Sequence, residues 1–183
     1  MPRLQGQLLL AGPELADPNF HHTVVLIIEH GGEGAFGVVL NRSSRRTIKE
    51  VLEAVTDEAF DTEQTIQLGG PVAGPLIALH ASENLAEMKI LPGVFVATSR
   101  DHLLEIARQS VEPYRIYSGY AGWAANQIES ELEAGAWITT PAKPDYIFHE
   151  EDDLWGRVAR DIVNSVIGPA LNVRHGPVDP SRN

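Results

Sequence analysis

The sequence predicts an α+β fold, a mixed and largely antiparallel β-sheet with helices packed on it. Three observations lead there. Short runs of β-branched and apolar residues recur between glycine and proline turn signals, as strands do. One run is followed at once by a glycine-rich reversal, the mark of a hairpin. Helical periodicity appears between the strands without the regular alternation that would signal a parallel α/β sheet.

Residues 4–10 and 23–30 are apolar, β-rich and short enough for strands. The unbroken run Val24-Val25-Leu26-Ile27-Ile28 implies burial on both faces. Gly31-Gly32-Glu33-Gly34 supplies the conformational freedom of a reversal, so residues 23–30 and 35–41 are expected to pair antiparallel. Thr47 and Glu50 stand at capping-box spacing and start a helix to about Val55, with Ile48, Val51, Leu52 and Val55 on one face. Residues 57–64 are polar and read as a solvated loop, and strands at 65–68 and 76–80 flank Gly69-Gly70-Pro71 and Gly74-Pro75.

Strands at 88–91 and 94–98 are separated by the turn signal Pro92-Gly93. Thr98 or Ser99 then caps a helix carrying Leu103, Leu104, Ile106 and Ala107, which Pro113 stops. Residues 114–118 alternate as a strand and run into Gly119-Tyr120-Ala121-Gly122-Trp123, read as a turn before a helix over 126–134. Gly135 ends that helix, residues 137–140 form a last strand, and Pro141 with Pro144 closes it. Leu154, Trp155, Val158, Ile162 and Val166 repeat at helical spacing behind an acidic run at 150–153, whose charge suits a helix start. The expectation is one domain over 1–167 and a mobile tail over 168–183, where three prolines interrupt few apolar residues.

Composition narrows the function classes. With 43% hydrophobic and 21% charged residues in 183, the chain has ordinary globular usage. A net charge of −11 argues against nucleic acid as partner, because affinity for phosphate backbones comes from Lys and Arg. The one cationic cluster, Arg42, Arg45, Arg46 and Lys49, is followed at once by Glu50, Glu53, Asp57 and Glu58. The absence of cysteine removes disulfides, thiolate metal sites and cysteine nucleophiles. Met1-Pro2-Arg3 leads into a strand without the apolar run of a signal peptide, and no window approaches the roughly 18 apolar residues of a membrane span. A cytoplasmic protein without membrane contact is expected.

Four segments carry a resemblance that spans nearly the whole chain to about Ile167: Gly6-Gln7-Leu8-Leu9-Leu10-Ala11 with Asp17-Pro18-Asn19-Phe20; Gly37-Val38-Val39-Leu40-Asn41-Arg42; Gly69-Gly70-Pro71-Val72 with Leu79-His80; and Gly119-Tyr120-Ala121-Gly122-Trp123 with Gln127-Ile128-Glu129 and Ala136-Trp137. In order and spacing they resemble the bacterial AlgH/YqgE family. The resemblance implies a soluble protein of the fold above. The family's regulatory label stems from a proposed role in controlling exopolysaccharide genes, without an established molecular activity. Where the family usually carries Gly-Pro-Gly before its Gln-Leu-Glu, this chain has Ala124-Ala125-Asn126.

Two polar regions are candidate sites. Asp17, Asn19 and His21 surround a ligand if the hairpin brings them to Asn41 and Arg42; the alternative is a tight connection anchored by Phe20. The segment with Gly119, Tyr120, Gly122 and Trp123 joins a strand end to a helix start, where amides can receive an anion, with Gln127 and Glu129 as polar contacts. The alternative there is that the aromatics fill the core. No histidine pair has zincin spacing and no phosphate loop, dinucleotide fingerprint or serine elbow is present, so neither metal nor cofactor is expected.

The preferred reading is a non-enzymatic binding or regulatory protein acting through a protein or small polar ligand. The alternative is an enzyme with Glu129 or His80 as general base and Arg42 holding an anionic group, which requires the three to share a cleft. A direct DNA-binding regulator comes third, since no basic recognition helix is visible.

Overall fold

A computed structural model describes residues 3–109, 113–150 and 152–172. The first half holds β1 (Gln7–Ala11), β2 (Val24–Gly31), β3 (Gly34–Val39), β4 (Ser43–Thr47), α1 (Ile48–Glu53), β5 (Thr65–Leu68) and β6 (Val72–His80). The second holds β7 (Met88–Leu91), β8 (Val94–Ala97), α2 (Arg100–Gln109), β9 (Tyr114–Ala124), α3 (Gln127–Glu133), β10 (Trp137–Pro141), α4 (Pro144–Phe148) and α5 (Leu154–Asn172). The main path of the sheet is β10-β1-β2-β3-β9-β6-β8-β7, antiparallel throughout, with β4 and β5 attached through a parallel β5–β9 pairing. The α+β, largely antiparallel architecture is as expected.

The sheet curls until its ends approach each other. The Gln5 side-chain amide, just before β1, donates to the Lys89 carbonyl on β7 at 3.5 Å. Helices and sheet enclose apolar layers on both sides of β2, and every residue from Val24 to Ile28 is fully buried, as the unbroken apolar run implied. Leu26 and Ile28 pack with Val38, Leu79 and, from α5, Leu154 and Val158. Val25 and Ile27 pack the other way, against Trp123, Ile128 and Trp137. A third cluster joins Ile48 and Leu52 of α1 and Ile106 of α2 to Ile116 of β9.

Several local expectations hold. The β2–β3 hairpin pairs as predicted, with Gly31 opposite Gly34. Thr47 and Glu50 make both bonds of the capping box. Pro92-Gly93 turns β7 into β8, and α2 carries the expected inward residues. The stop expected at Pro113 falls beside residues 110–112, outside those described.

Others are corrected. α1 ends at Glu53, so Val55 lies past the helix and is exposed instead of sharing the face of Ile48 and Leu52. The segment Gly119 to Trp123 is no turn, because it lies inside the 11-residue strand β9, paired with β3 on one side and β6 on the other. Its glycines serve close approach. A Cβ at Gly69 would collide with the Gly119 carbonyl, and Gly70, at φ +154°, passes against the Tyr120 backbone. Small residues on two distant segments thus let the chains meet, and that tertiary contact outweighs the local turn propensity. The cationic segment at Ser43–Thr47 forms β4, held through Ser43 opposite Gln67. β6 starts four residues earlier than expected, at Val72.

Pro144 opens α4, where its missing N–H costs nothing, instead of closing β10. Within the polar loop 57–64, Phe60 and Thr62 are buried under α1 and β9. α5 continues helically to Asn172, so 168–172 are not tail; residues 173–183 lie outside those described. Its inward stripe ends at Ile162, since Val166 is exposed.

Candidate functional site

The loop before β2 is shaped by its own polar residues. Asp17 accepts the Asn19 amide through Oδ1 at 2.9 Å, and its carbonyl accepts the amides of Phe20 and His21. Asx geometry and the fixed φ of Pro18 make the reversal. Phe20 then plugs the loop into the core, 5.5 Å from the Trp137 ring and 6.1 Å from Trp123. His22, at φ +52°, stacks between His21 and Trp155.

Asn41 and Arg42, at the end of β3, do meet this loop. Asn41 accepts the Val24 amide at 3.0 Å and donates to the His22 carbonyl at 2.8 Å. Arg42 donates to the carbonyls of Pro18 at 3.0 Å and His21 at 3.4 Å. The two side chains therefore clamp loop backbone, while the side chains of Asp17, Asn19 and His21 remain exposed. The arrangement is the tight connection anchored by Phe20, with Asn41 and Arg42 meeting the loop through its backbone.

Beyond Asn41 opens a cleft of ≈ 210 Å³ whose walls include Ser43, Gln67, Arg115 and Glu150. A second cleft, ≈ 570 Å³, adjoins it and is also lined by Arg115 and Glu150, with Asp61 and Glu63. Arg115 is half-buried and donates to the Phe148 carbonyl at 3.2 Å. Among the described residues no carboxylate lies within 4.0 Å of it. Sequence reading passed over Arg115, although a lone cation among the apolar residues of Tyr114-Arg115-Ile116-Tyr117 was the available signal.

The second candidate region divides. Tyr120 pairs with Val72 of β6 and Ala121 to Trp123 pair with β3, so the segment is extended strand and not the helix-start turn on which an anion seat was expected. Tyr120 packs edge-on to Phe36, and Gly122 is exposed beside it. Trp123 is a core residue. Its indole N–H donates to Glu131 Oε2 at 2.9 Å, and the Trp137 indole donates to the same oxygen at 2.8 Å. Gln127 accepts the Ala124 amide and donates to the other Glu131 oxygen. Glu131 is thus the polar centre of this region, and no motif pointed to it.

Glu129, His80 and Arg42 share no site. Glu129 accepts from His30 Nε2 at 2.8 Å, a bond that holds its carboxyl below the usual carboxylate range. His30 Nδ1 accepts the Leu4 amide, which places the proton on Nε2 and leaves the ring no free lone pair. His80 is wholly buried with neither ring nitrogen bonded, and desolvation lowers its pKa. Burial disfavours its charged form and seals it from solvent, so it is not a base within reach of a substrate.

The AlgH-like family model matches residues 8–166. The chain belongs to the AlgH-like family. A UPF0301 protein of Myxococcus xanthus is 35% identical over 181 residues, covering 94% of this chain and 100% of the relative. One of Thioalkalivibrio sulfidiphilus is 39% identical over 161 residues, covering 84% and 87%. The solution structure of the AlgH protein from Pseudomonas aeruginosa aligns with TM-score 0.75 and 33% identity over 97% of this chain and 96% of that one. A crystal structure from Corynebacterium diphtheriae aligns with TM-score 0.73 and 25% identity, over 88% and 87%.

Against the pattern of other AlgH-like proteins, this chain's Ala124-Ala125-Asn126 keeps the backbone that a glycine would allow. Asn126 adopts φ +62° just before α3, and asparagine is among the few side chains that tolerate this region. No helix among the described residues is long and apolar enough to cross a membrane.

Proposed function

We propose that this AlgH-like chain is a non-enzymatic binding or regulatory protein. Its partner, a small polar ligand or a protein segment, engages the face made by the exposed side chains of Asp17, Asn19 and His21, the Asn41-Arg42 clamp, and the clefts beside Asn41. The observation that carries the reading is Arg115. A guanidinium offers five donors, and this one is half-buried, held by a backbone carbonyl and free of any carboxylate partner among the described residues. An acceptor group on a ligand would complete it. The enzymatic alternative asked for Glu129 or His80 beside Arg42, whereas Glu129 bonds His30 and Arg42 bonds the Pro18 and His21 carbonyls.

Binding is tested on the folded protein by metabolite screening with ¹H–¹⁵N NMR and by pull-down, comparing wild type with Arg115→Met and Arg42→Ala. A ligand or partner retained by wild type and lost by Arg115→Met is expected. If no ligand or partner responds to either substitution, the reading falls. A gel shift at physiological salt showing tight, sequence-specific binding would instead place the protein among direct DNA binders.

A further inference from the structure

We infer that the ligand of the joined clefts is a small zwitterion, its carboxylate on Arg115 and its ammonium group toward Glu150. The inference rests on the binding reading above and supplies its ligand class.

The two clefts, ≈ 210 Å³ and ≈ 570 Å³, have Arg115 and Glu150 in common, so these side chains stand where one space passes into the other. They carry opposite charges and do not pair. The contact of Arg115 is the Phe148 carbonyl, and Glu150 makes no hydrogen bond or ion pair among the described residues. Elsewhere neighbouring opposite charges have closed on each other, as Arg108 has on Glu58 at 2.7 Å and Arg157 on Asp145. An open pair across a cavity leaves room for something that satisfies both members.

The remaining walls sort the ligand's charges. Asp61 and Glu63 also line the larger cleft, so with Glu150 three carboxylates share its walls with a single guanidinium. A free anion would find Arg115 and be repelled by the other three, and a free cation would find the carboxylates and be repelled by Arg115. A molecule carrying both charges can set each beside its complement, the carboxylate on Arg115 and the ammonium group toward Glu150. In the smaller cleft, Asn41, Ser43 and the buried Gln67 offer amide and hydroxyl groups beside Arg115, while His149 and Asp152 lie on the same wall. Gln67 is fixed by bonds to Ser43 Oγ at 3.1 Å and to the Thr65 carbonyl at 3.3 Å, so this wall is ordered before a ligand arrives.

The test titrates the whole protein with α- and ω-amino acids, and with charge-blocked partners of each: the N-acetyl form, which keeps only the carboxylate, and the amide, which keeps only the ammonium group. Amide-resolved NMR shifts and calorimetry are the readouts. At least one amino acid is expected to bind with shifts around Arg115 and Glu150, and each blocked form to bind roughly tenfold or more weakly. Arg115→Met should erase the preference over the amide, and Glu150→Gln the preference over the N-acetyl form. Glu150 is exposed, so its substitution leaves the fold intact and keeps the test decisive if Arg115→Met folds poorly.

If N-acetyl forms bind as well as their parents, the zwitterion assignment is wrong while an Arg115-dependent seat survives. If no amino acid binds but another ligand is lost in Arg115→Met, the assignment again fails alone. If nothing binds in an Arg115-dependent way, it fails together with the binding reading.

Discussion

At the scale of single residues, Glu131 does more than any side chain the sequence drew attention to. One of its oxygens receives the indole protons of Trp123 and Trp137, and the other receives Gln127. Both tryptophans are nearly buried, so removing the acceptor strands two donors. Glu131→Ala should lower stability by at least about 2 kcal/mol in urea unfolding, with Glu131→Gln recovering most of it because an amide oxygen can serve both indoles. Glu87 shows a different carboxylate strategy. Desolvation alone would raise its pKa, but hydrogen bonds from Ser99 and Thr98 at the start of α2 hold it down at about 2. Its folded-state pKa lies below its unfolded one, so its contribution is present above about pH 4.5 and is lost as pH falls toward 2. Glu87→Gln should flatten acid unfolding over that window. His80 also has a depressed pKa, and for a histidine this means the unfolded chain takes up the proton first. Stability should therefore decline as pH falls below about 6.5, and His80→Leu should remove that slope without loss at pH 8, since the imidazole makes no bonds to lose.

At the scale of elements, legibility follows the distance over which an element is decided. The α1 start was readable because Thr47 and Glu50 satisfy each other three residues apart, and Thr47→Ala should cost about 1 kcal/mol in thermal or urea unfolding. The hairpin was readable for the same reason. The centre of β9 was not, since Gly119 takes its meaning from Gly69 and Gly70, some fifty residues earlier. Gly70→Ala should destabilise by about 1–3 kcal/mol or prevent folding, because a methyl there meets the Tyr120 backbone at a φ that side chains rarely adopt. The candidate site divides along the same line. Asn41 and Arg42 were found through a hairpin visible in the sequence, whereas Arg115 acquires its setting from Glu150 and from β4, whose polar residues Ser43–Thr47 carry no strand signal.

At the scale of the whole molecule, β9 is the seam, bonded to β3, β5 and β6. Amide hydrogen exchange should be slowest in β9 and β2 and fastest in the end strands β7 and β10; uniform rates would contradict this picture. The fold class was legible because it depends on the number and kind of segments, while strand order depends on contacts that no local pattern records. The lateness of β9 also bears on how the chain is made. A nascent chain that has not yet reached Tyr114 already holds β3 and β6, but their shared neighbour is still to be synthesised. Until it arrives, both expose unpaired backbone edges, and a second nascent chain offers the same edges. Translation speed through residues 81–124 and chaperone cover during that interval should therefore govern the soluble yield more strongly than the stability of the finished protein.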